Sequence, residues 1–286
     1  VTKEARLFKT LYAPSAKDKT LAPVHANAGL EAEYRRRLEA LIDDMHKSIR
    51  YWLLAAYRGD LPDTTELMAI DDSSAVKLDA VMKRLSRYWL RKFKEAGKQL
   101  GKHYAQKATD RADNALEHIL KNGGLAIKFK MTPAVNDVVQ ATTKSNVALI
   151  TNLAQKHLNE IEGLVMRSVQ QGRDVGGLAQ ELEERYKMTR KRARLVARDQ
   201  NNKATAAIVR TRQAELGIEQ AKWLHSHAGK KPRQSHVAMN GKLYDVKEGM
   251  WDPDADGKGK GRNVFPGELI NCRCVSRSII PALGVR

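Results

Sequence analysis

The apolar positions of this chain recur mostly at intervals of three and four, the period of a helix that buries one face. The strongest run is 30–59, where Tyr34, Leu38, Leu41, Ile42, Met45, Ile49, Trp52 and Leu53 form a stripe and Arg35, Arg36, Arg37 and Lys47 fall mostly off it. Asn27 offers a cap before this run and Gly59 a stop after it. Trp52 and Tyr57 read as packing residues. A second run follows Asp71-Asp72-Ser73-Ser74, residue types that cap helices, and carries Leu78, Val81, Met82, Leu85, Tyr88, Trp89 and Phe93. It weakens at Gly97 and Gly101, resumes through Tyr104, Ala108, Ala112, Ala115, Leu116 and Ile119, and ends at Asn122-Gly123-Gly124. One kinked helix and two shorter ones fit this pattern equally.

Thr132-Pro133 predicts a third start, a hydroxyl cap with proline in the first position. That helix runs to about Gln171, with Val147, Ile150, Leu153, Ala154, Ile161, Leu164 and Val165 on one side. His157 shares the apolar stripe and reads as an interior residue without chemistry. Asp174 opens a short helix to about Tyr186, and Thr189 caps another that runs to Leu216 and stops at Gly217. Elsewhere the helical period is absent. Leu125–Met131 predicts a short strand, as do Ala221–His225, Lys242–Val246 and Cys274–Ile280, with Asn240-Gly241 as a turn. The fold class is therefore mainly α: long amphipathic helices followed by a small C-terminal α+β module. The expected division is an extended N-terminal arm over 1–29, a helical scaffold over 30–188 and the C-terminal module over 189–286. The arm has Pro14, Pro23 and little to bury, so it orders only against something else.

Of the 286 residues, 42% are hydrophobic, enough for a core, while 6% are aromatic and 29% charged, which suits extended helices better than a sandwich. The net charge of +18 is uneven: Arg185 to Arg286 carries 22 Lys and Arg against 9 Asp and Glu, the remainder 29 against 24. Such a surplus points to an anionic partner, nucleic acid foremost through phosphate neutralisation, or else to a solvated face or a patch that meets an acidic protein. The helix behind Thr189 concentrates it, with Arg190, Lys191, Arg192, Arg194, Arg198, Lys203, Arg210 and Arg212 opposite a face of Ala193, Val196, Ala197, Ala204, Ala207 and Ile208. Lys230, Lys231 and Arg233 follow it. These cations are the expected contacts to DNA or an acidic partner. The N-terminus has no apolar signal core, and no run approaches the ~18 apolar residues of a membrane span. Two cysteines one residue apart make no disulfide framework and fit a reducing compartment.

The chemistry gathers between Trp223 and Pro281. His236, Cys272 and Cys274 offer imidazole and thiolate, with His225 or His227 available to complete four ligands, a set that suits zinc. A module with a thin core would gain stability from such a clip. The Cys-x-Cys spacing is tighter than usual for zinc, and the alternative is that both cysteines are small buried groups in a tight hairpin. Asp252, Asp254 and Asp256 before Gly257 have part of a calcium-loop pattern but lack its closing glutamate, so 252–262 reads as a flexible surface loop. No Gly-Lys-Ser/Thr loop and no helical His pair with a glutamate occurs, so the protein reads as not an enzyme. The alternatives are a metal-dependent DNA-acting enzyme and a free nucleic-acid-binding protein.

Several of these pieces stand in a recognisable order. Ala197-Arg198-Asp199-Gln200-Asn201-Asn202-Lys203, Trp223, Pro232-Arg233 before His236, Asn240-Gly241-Lys242, Pro266-Gly267-Glu268 and Asn271-Cys272-Arg273-Cys274 resemble the phage Mu protein F-like head-morphogenesis family, over about 190–281. The resemblance implies a structural minor head protein of a tailed phage, inside the capsid at or near the portal vertex. It implies portal or major capsid protein as partner, packaged DNA as a second contact, a role in assembly and in DNA packaging or ejection, and neither a membrane nor a small-molecule substrate. Ala228-Gly229-Lys230-Lys231 lacks the acidic residue often found before the Arg-x-x-His element, and 252–262 looks like an insertion.

Overall fold

The computed structural model describes residues 19–58, 74–170, 175–227, 229 and 231–280. Four long helices carry the chain: α1 over Ala28–Arg58, α2 over Ser74–Asn122, α3 over Pro133–Gln170 and α4 over Val175–Glu215. A short α5 follows over Gln234–Met239. Two-residue β1 (Lys19–Thr20), β2 (Gln220–Leu224), β3 (Leu243–Asp245) and β6 (Val275–Ile280) form an antiparallel sheet in the order β1-β6-β2-β3, while β4 (Met250–Asp252) and β5 (Arg262–Val264) pair as a hairpin. Mainly helical with a small C-terminal α+β module, this is the architecture the periodicities predict.

The helix ends follow their local chemistry. Asn27 caps α1, its Oδ1 accepting from the Leu30 N–H at 2.8 Å and its carbonyl from Glu31 at 3.1 Å. Thr132 caps α3 through the Val135 N–H. α4 ends in a left-handed Gly217 (φ 72°), with the Ile218 N–H returning to Gln213 and the Gly217 N–H to Ala214. The break after Arg58, the cap at Asp71–Ser73 and the start at Asp174 lie outside the described residues.

The chain contains two compact units: 1–31, 102–142 and 198–286 in one, 32–101 and 143–197 in the other. The second unit is helix on helix. Leu38, Ile42, Met45, Ile49 and Leu53 of α1 are fully buried, as are Leu78 and Phe93 of α2 and Ile150, Ala154 and Ile161 of α3. Each such aliphatic or aromatic side chain contributes about 1.5–3 kcal/mol by leaving water. α2 runs unbroken through Gly97 and Gly101, which resolves the open choice of one helix or two. A Cβ on Gly101 would stand 3.1 Å from the Thr143 carbonyl oxygen, and one on Gly97 3.6 Å from Ile150, so the glycines let α3 approach closely. Their weak stripe marks a seam. Tyr34 and Asn146 hydrogen-bond inside this core at 2.6 Å.

The first unit joins parts of the helices to the sheet. β6 is its central strand, paired with β2 from Ala221↔Ser278 to Leu224↔Val275 and with β1 at Lys19↔Ile280 and Thr20↔Ile279. The described end of the N-terminal arm thus orders as an edge strand, with Leu21 and Val24 buried beyond it. Gln213 of α4 reaches the sheet, its amide bonding Ser276 and Ser278.

Two predicted elements differ. The strand at 125–131 does not form: the Phe129 N–H donates to the Glu117 carboxylate and Lys128 pairs with the same group, so the segment is tied to a side chain of α2 instead of a neighbouring strand. The expected break between Tyr186 and Thr189 is also absent, and α4 is continuous there. Thr189 is fully buried inside the helix, its Oγ1 2.9 Å from both the Arg185 carbonyl and His157 Nδ1, so its hydroxyl serves a tertiary contact in place of a cap.

Candidate functional site

The C-terminal module is built by reciprocal anchors between α4 and the loops before β6. Asp199 accepts from the Asn271 N–H at 2.6 Å and pairs with Lys203 at 2.8 Å. Asn271 adopts a left-handed turn (φ 59°), a conformation asparagine tolerates well, and this turn delivers Cys272 and Cys274 inward. Gly267 (φ 81°) sits where a Cβ would lie 2.7 Å from Ala206, so the Pro266-Gly267 turn lies flat on α4. Asn201 bonds the Asn27 carbonyl and Tyr104. Asn240 Oδ1 accepts from the His225 N–H, and the Gly241 N–H donates to the Trp223 carbonyl, closing the turn onto β2.

These anchors bring three chemically apt side chains together. His236 on α5, Cys272 and Cys274 are all buried, and one donor atom from each lies within 4.8 Å of the others. His236 Nδ1 is 3.4 Å from Cys272 Sγ and 3.6 Å from Cys274 Sγ. On its other side Nε2 is 3.1 Å from Asp252 Oδ2, and that carboxylate is completely buried. An ionised carboxylate only accepts, so Nε2 carries the proton and the Nδ1 lone pair faces the sulfurs. Trp223, also fully buried, meets the His236 ring edge-on at 5.0 Å.

Both cysteines are free thiols. The hydrogen bond from Cys274 lowers the Cys272 thiol against the opposing effect of burial. The same bond and burial raise Cys274, opposed by the Trp223 indole N–H and the Ser226 backbone N–H. This donor set of nitrogen and two sulfurs is what a borderline-soft cation takes.

Of the other expected metal ligands, the structure leaves both outside the cluster. His227 is exposed in a left-handed turn (φ 49°), and its N–H donates to His225 Nδ1 at 3.2 Å, which engages that nitrogen. His225 is buried, and burial lowers its basicity, with His227 and His236 adding to the effect. Asp252 is the residue that sequence reading missed. Its alternation with Asp254 and Asp256 suggested a surface loop, yet Asp252 ends β4 and points inward. The other carboxylates accept loop N–H groups: Asp256 from Lys258 and Lys260, Asp254 from Gly259.

The expected cationic face of α4 is largely engaged within the protein. In the helical unit Arg190 bridges Glu39 and Asp43, Arg192 pairs with Glu160 and Arg194 with Glu39. In the sheet-containing unit Arg198 reaches Asn271 and Lys203 pairs with Asp199. Arg210 stacks over Phe265 at 4.0 Å beside a cavity of about 200 Å³ lined by Asn202, Tyr244 and Glu268. Arg212 is 1% exposed and clamped between Asp113 and Glu215, so it offers no charge to a partner. Lys191 and Lys231 are exposed, Arg233 is exposed while bonding the Ile270 carbonyl, and Lys230 lies outside the described residues.

A second cationic surface was hidden by the helical stripe. In the helical unit Arg84 lies over Trp52 at 5.8 Å and Lys92 over Trp89 at 4.6 Å, lining a groove of about 350 Å³ with Ser48 and Tyr88. Among the described residues, Lys47, Arg50, Arg84, Arg87, Arg91 and Lys92 make no ion pair, whereas Asp79 and Glu95 are held by Lys83 and Lys98. No helix among the described residues is long and apolar enough to cross a membrane.

Residues 159–277 match the family model described as Phage Mu protein F like protein. A relative from Haemophilus influenzae, itself described as an uncharacterized protein, is 26% identical over 274 residues. That alignment covers 94% of this chain and 56% of the relative, so the chain spans little more than half the relative's length. No solved structure matches.

Proposed function

We propose that this protein, a carrier of the phage Mu protein F-like domain, is a structural minor head protein of a tailed phage, held inside the capsid at or near the portal vertex. The observation that carries the proposal is the convergence of the domain's motif residues on one clasp: Asp199, Asn271, His236, Cys272 and Cys274 serve each other's placement. Pairing inside the fold, as found for Asp199 and most of the α4 cations, is the arrangement of a scaffold. The long helices supply the docking surface for portal or major capsid subunits, and the protein acts in head assembly and in packaging or ejection of DNA without catalysis. The His236–Cys272–Cys274 cluster is the module's clasp, and zinc is the cofactor that suits it. Contact with packaged DNA falls to the cations that have no carboxylate partner among the described residues: Lys191, Lys231 and Arg233 from the predicted set, and the Arg84–Lys92 groove.

Quantitative mass spectrometry of purified procapsids and mature particles tests the central part. The chain should be present far below the major capsid protein and near the copy number of portal. Its absence from both particle forms overturns the head assignment.

A further inference from the structure

We infer that the buried cluster is a zinc centre with three protein ligands, His236 Nδ1, Cys272 Sγ and Cys274 Sγ, and that Asp252 is its positioning residue. The inference rests on reading the cluster as the clasp of the C-terminal module. Zinc bonds of about 2.3 Å to sulfur and 2.0–2.1 Å to nitrogen, set at tetrahedral angles, separate a ligand sulfur from a ligand nitrogen by about 3.6 Å. The two separations here are 3.4 and 3.6 Å, to two sulfurs from the same nitrogen. A single lone pair accepts one hydrogen bond well, but a metal between the three atoms satisfies all of them.

The far side of the imidazole supports the same assignment. Asp252 Oδ2 accepts a hydrogen bond from His236 Nε2–H at 3.1 Å, which holds the tautomer that ligates through Nδ1 and makes that nitrogen more electron-rich. A completely buried carboxylate is costly unless it is partnered, and here Oδ1 accepts from the Asp254 N–H while Oδ2 faces His236. The ligand set also explains the separation in sequence. His236 lies on α5 and the cysteines precede β6, so one ion joins two segments that otherwise meet through a thin core, and Asp252 at the end of β4 is tied to them through His236. His225 and His227 are not ligands, because the first is engaged through Nδ1 and the second is exposed. The remaining tetrahedral position is left to water.

The full chain, purified under reducing conditions, should contain one zinc per molecule by elemental mass spectrometry. Metal-free protein titrated with cobalt(II) should develop thiolate-to-cobalt charge-transfer absorption and the strong visible bands of a tetrahedral ion. Cys272→Ser should abolish both signals. Asp252→Asn should weaken metal affinity about 10–100-fold, with partial recovery in Asp252→Glu. His225→Gln and His227→Gln should leave stoichiometry and spectrum unchanged. Circular dichroism on every variant separates loss of metal from loss of fold. A folded wild-type chain that takes up neither zinc nor cobalt overturns the centre. Undiminished affinity in Asp252→Asn removes Asp252 from it, and lost metal in folded His225→Gln overturns the ligand set. Metal content and particle incorporation are read separately, so failure of this centre is distinguishable from failure of the head assignment.

Discussion

Single buried residues in this protein have opposite electrostatic fates. His157 is fully buried, and burial pushes its pKa down to about 4, with the positive charge of His46 and Arg192 adding to the effect. Thr189 can accept from Nδ1–H while donating to the Arg185 carbonyl, which leaves Nε2 as a bare acceptor and satisfies the donors. The unfolded chain binds a proton near the ordinary histidine value, so between about 6.5 and 4 it holds more protons than the native state. Stability from this site is therefore complete above about pH 6.5 and falls as the pH drops towards 4, by about 3 kcal/mol in all. His46 is lowered by burial too and acts in the same direction. Urea midpoints at pH 7 and pH 5 should show this loss in the wild type and a smaller one in His157→Gln; equal losses exclude His157 as the source. Arg212 is buried but doubly paired. Arg212→Ala strands Asp113 and Glu215 and should cost about 3–5 kcal/mol, whereas Lys191→Ala should change stability by less than about 0.5 kcal/mol. Thermal denaturation compares the two.

The elements show which sequence signals carry through. Caps at Asn27 and Thr132 and the stop at Gly217 were legible because they are settled within four residues of the chain. The seam at Gly97 and Gly101 was ambiguous because a weakened stripe means either a break or a close neighbour, and only the position of Thr143 and Ile150 distinguishes them. Gly101→Leu should destabilise the protein by about 1–3 kcal/mol by driving a side chain into the Thr143 carbonyl, despite leucine's better helix propensity. A melting temperature equal to or above the wild type would contradict that seam. The strand at 125–131 was misread for a related reason: its alternation is real, but a strand exists only where another strand supplies the ladder, and Glu117 takes that role here.

At the scale of the whole molecule, charge is the property that changes most between chain and fold. The chain shows +18 and a basic C-terminal third, while the structure engages Arg190, Arg192, Arg194, Lys203 and Arg212 in internal pairs, and among the described residues no carboxylate lines the Arg84–Lys92 groove. Binding to a duplex of arbitrary sequence should weaken steeply with salt, roughly 10²–10³-fold between 50 and 200 mM if about five phosphates are neutralised. An Arg84→Ala, Arg87→Ala, Lys92→Ala triple variant should bind more weakly with a shallower salt slope in fluorescence anisotropy. Unchanged binding there removes the groove from the contact. On the zinc-centre proposal, a chelator should lower the melting temperature and alter Trp223 fluorescence, since the indole touches His236.

The sequence by itself determined what short-range chemistry dictates: long amphipathic helices and several of their ends, though not their number, a small terminal module with strands near 221–225, 242–246 and 274–280, and His236, Cys272 and Cys274 as its reactive set. Periodicity and capping act within a few residues, so they survive in one dimension. Only the tertiary structure decided that His236, Cys272 and Cys274 meet, that Asp252 turns inward behind His236, and which of the α4 arginines pair with carboxylates. Those outcomes depend on which groups meet across tens to more than a hundred residues of chain, and burial and pairing are fixed by that meeting.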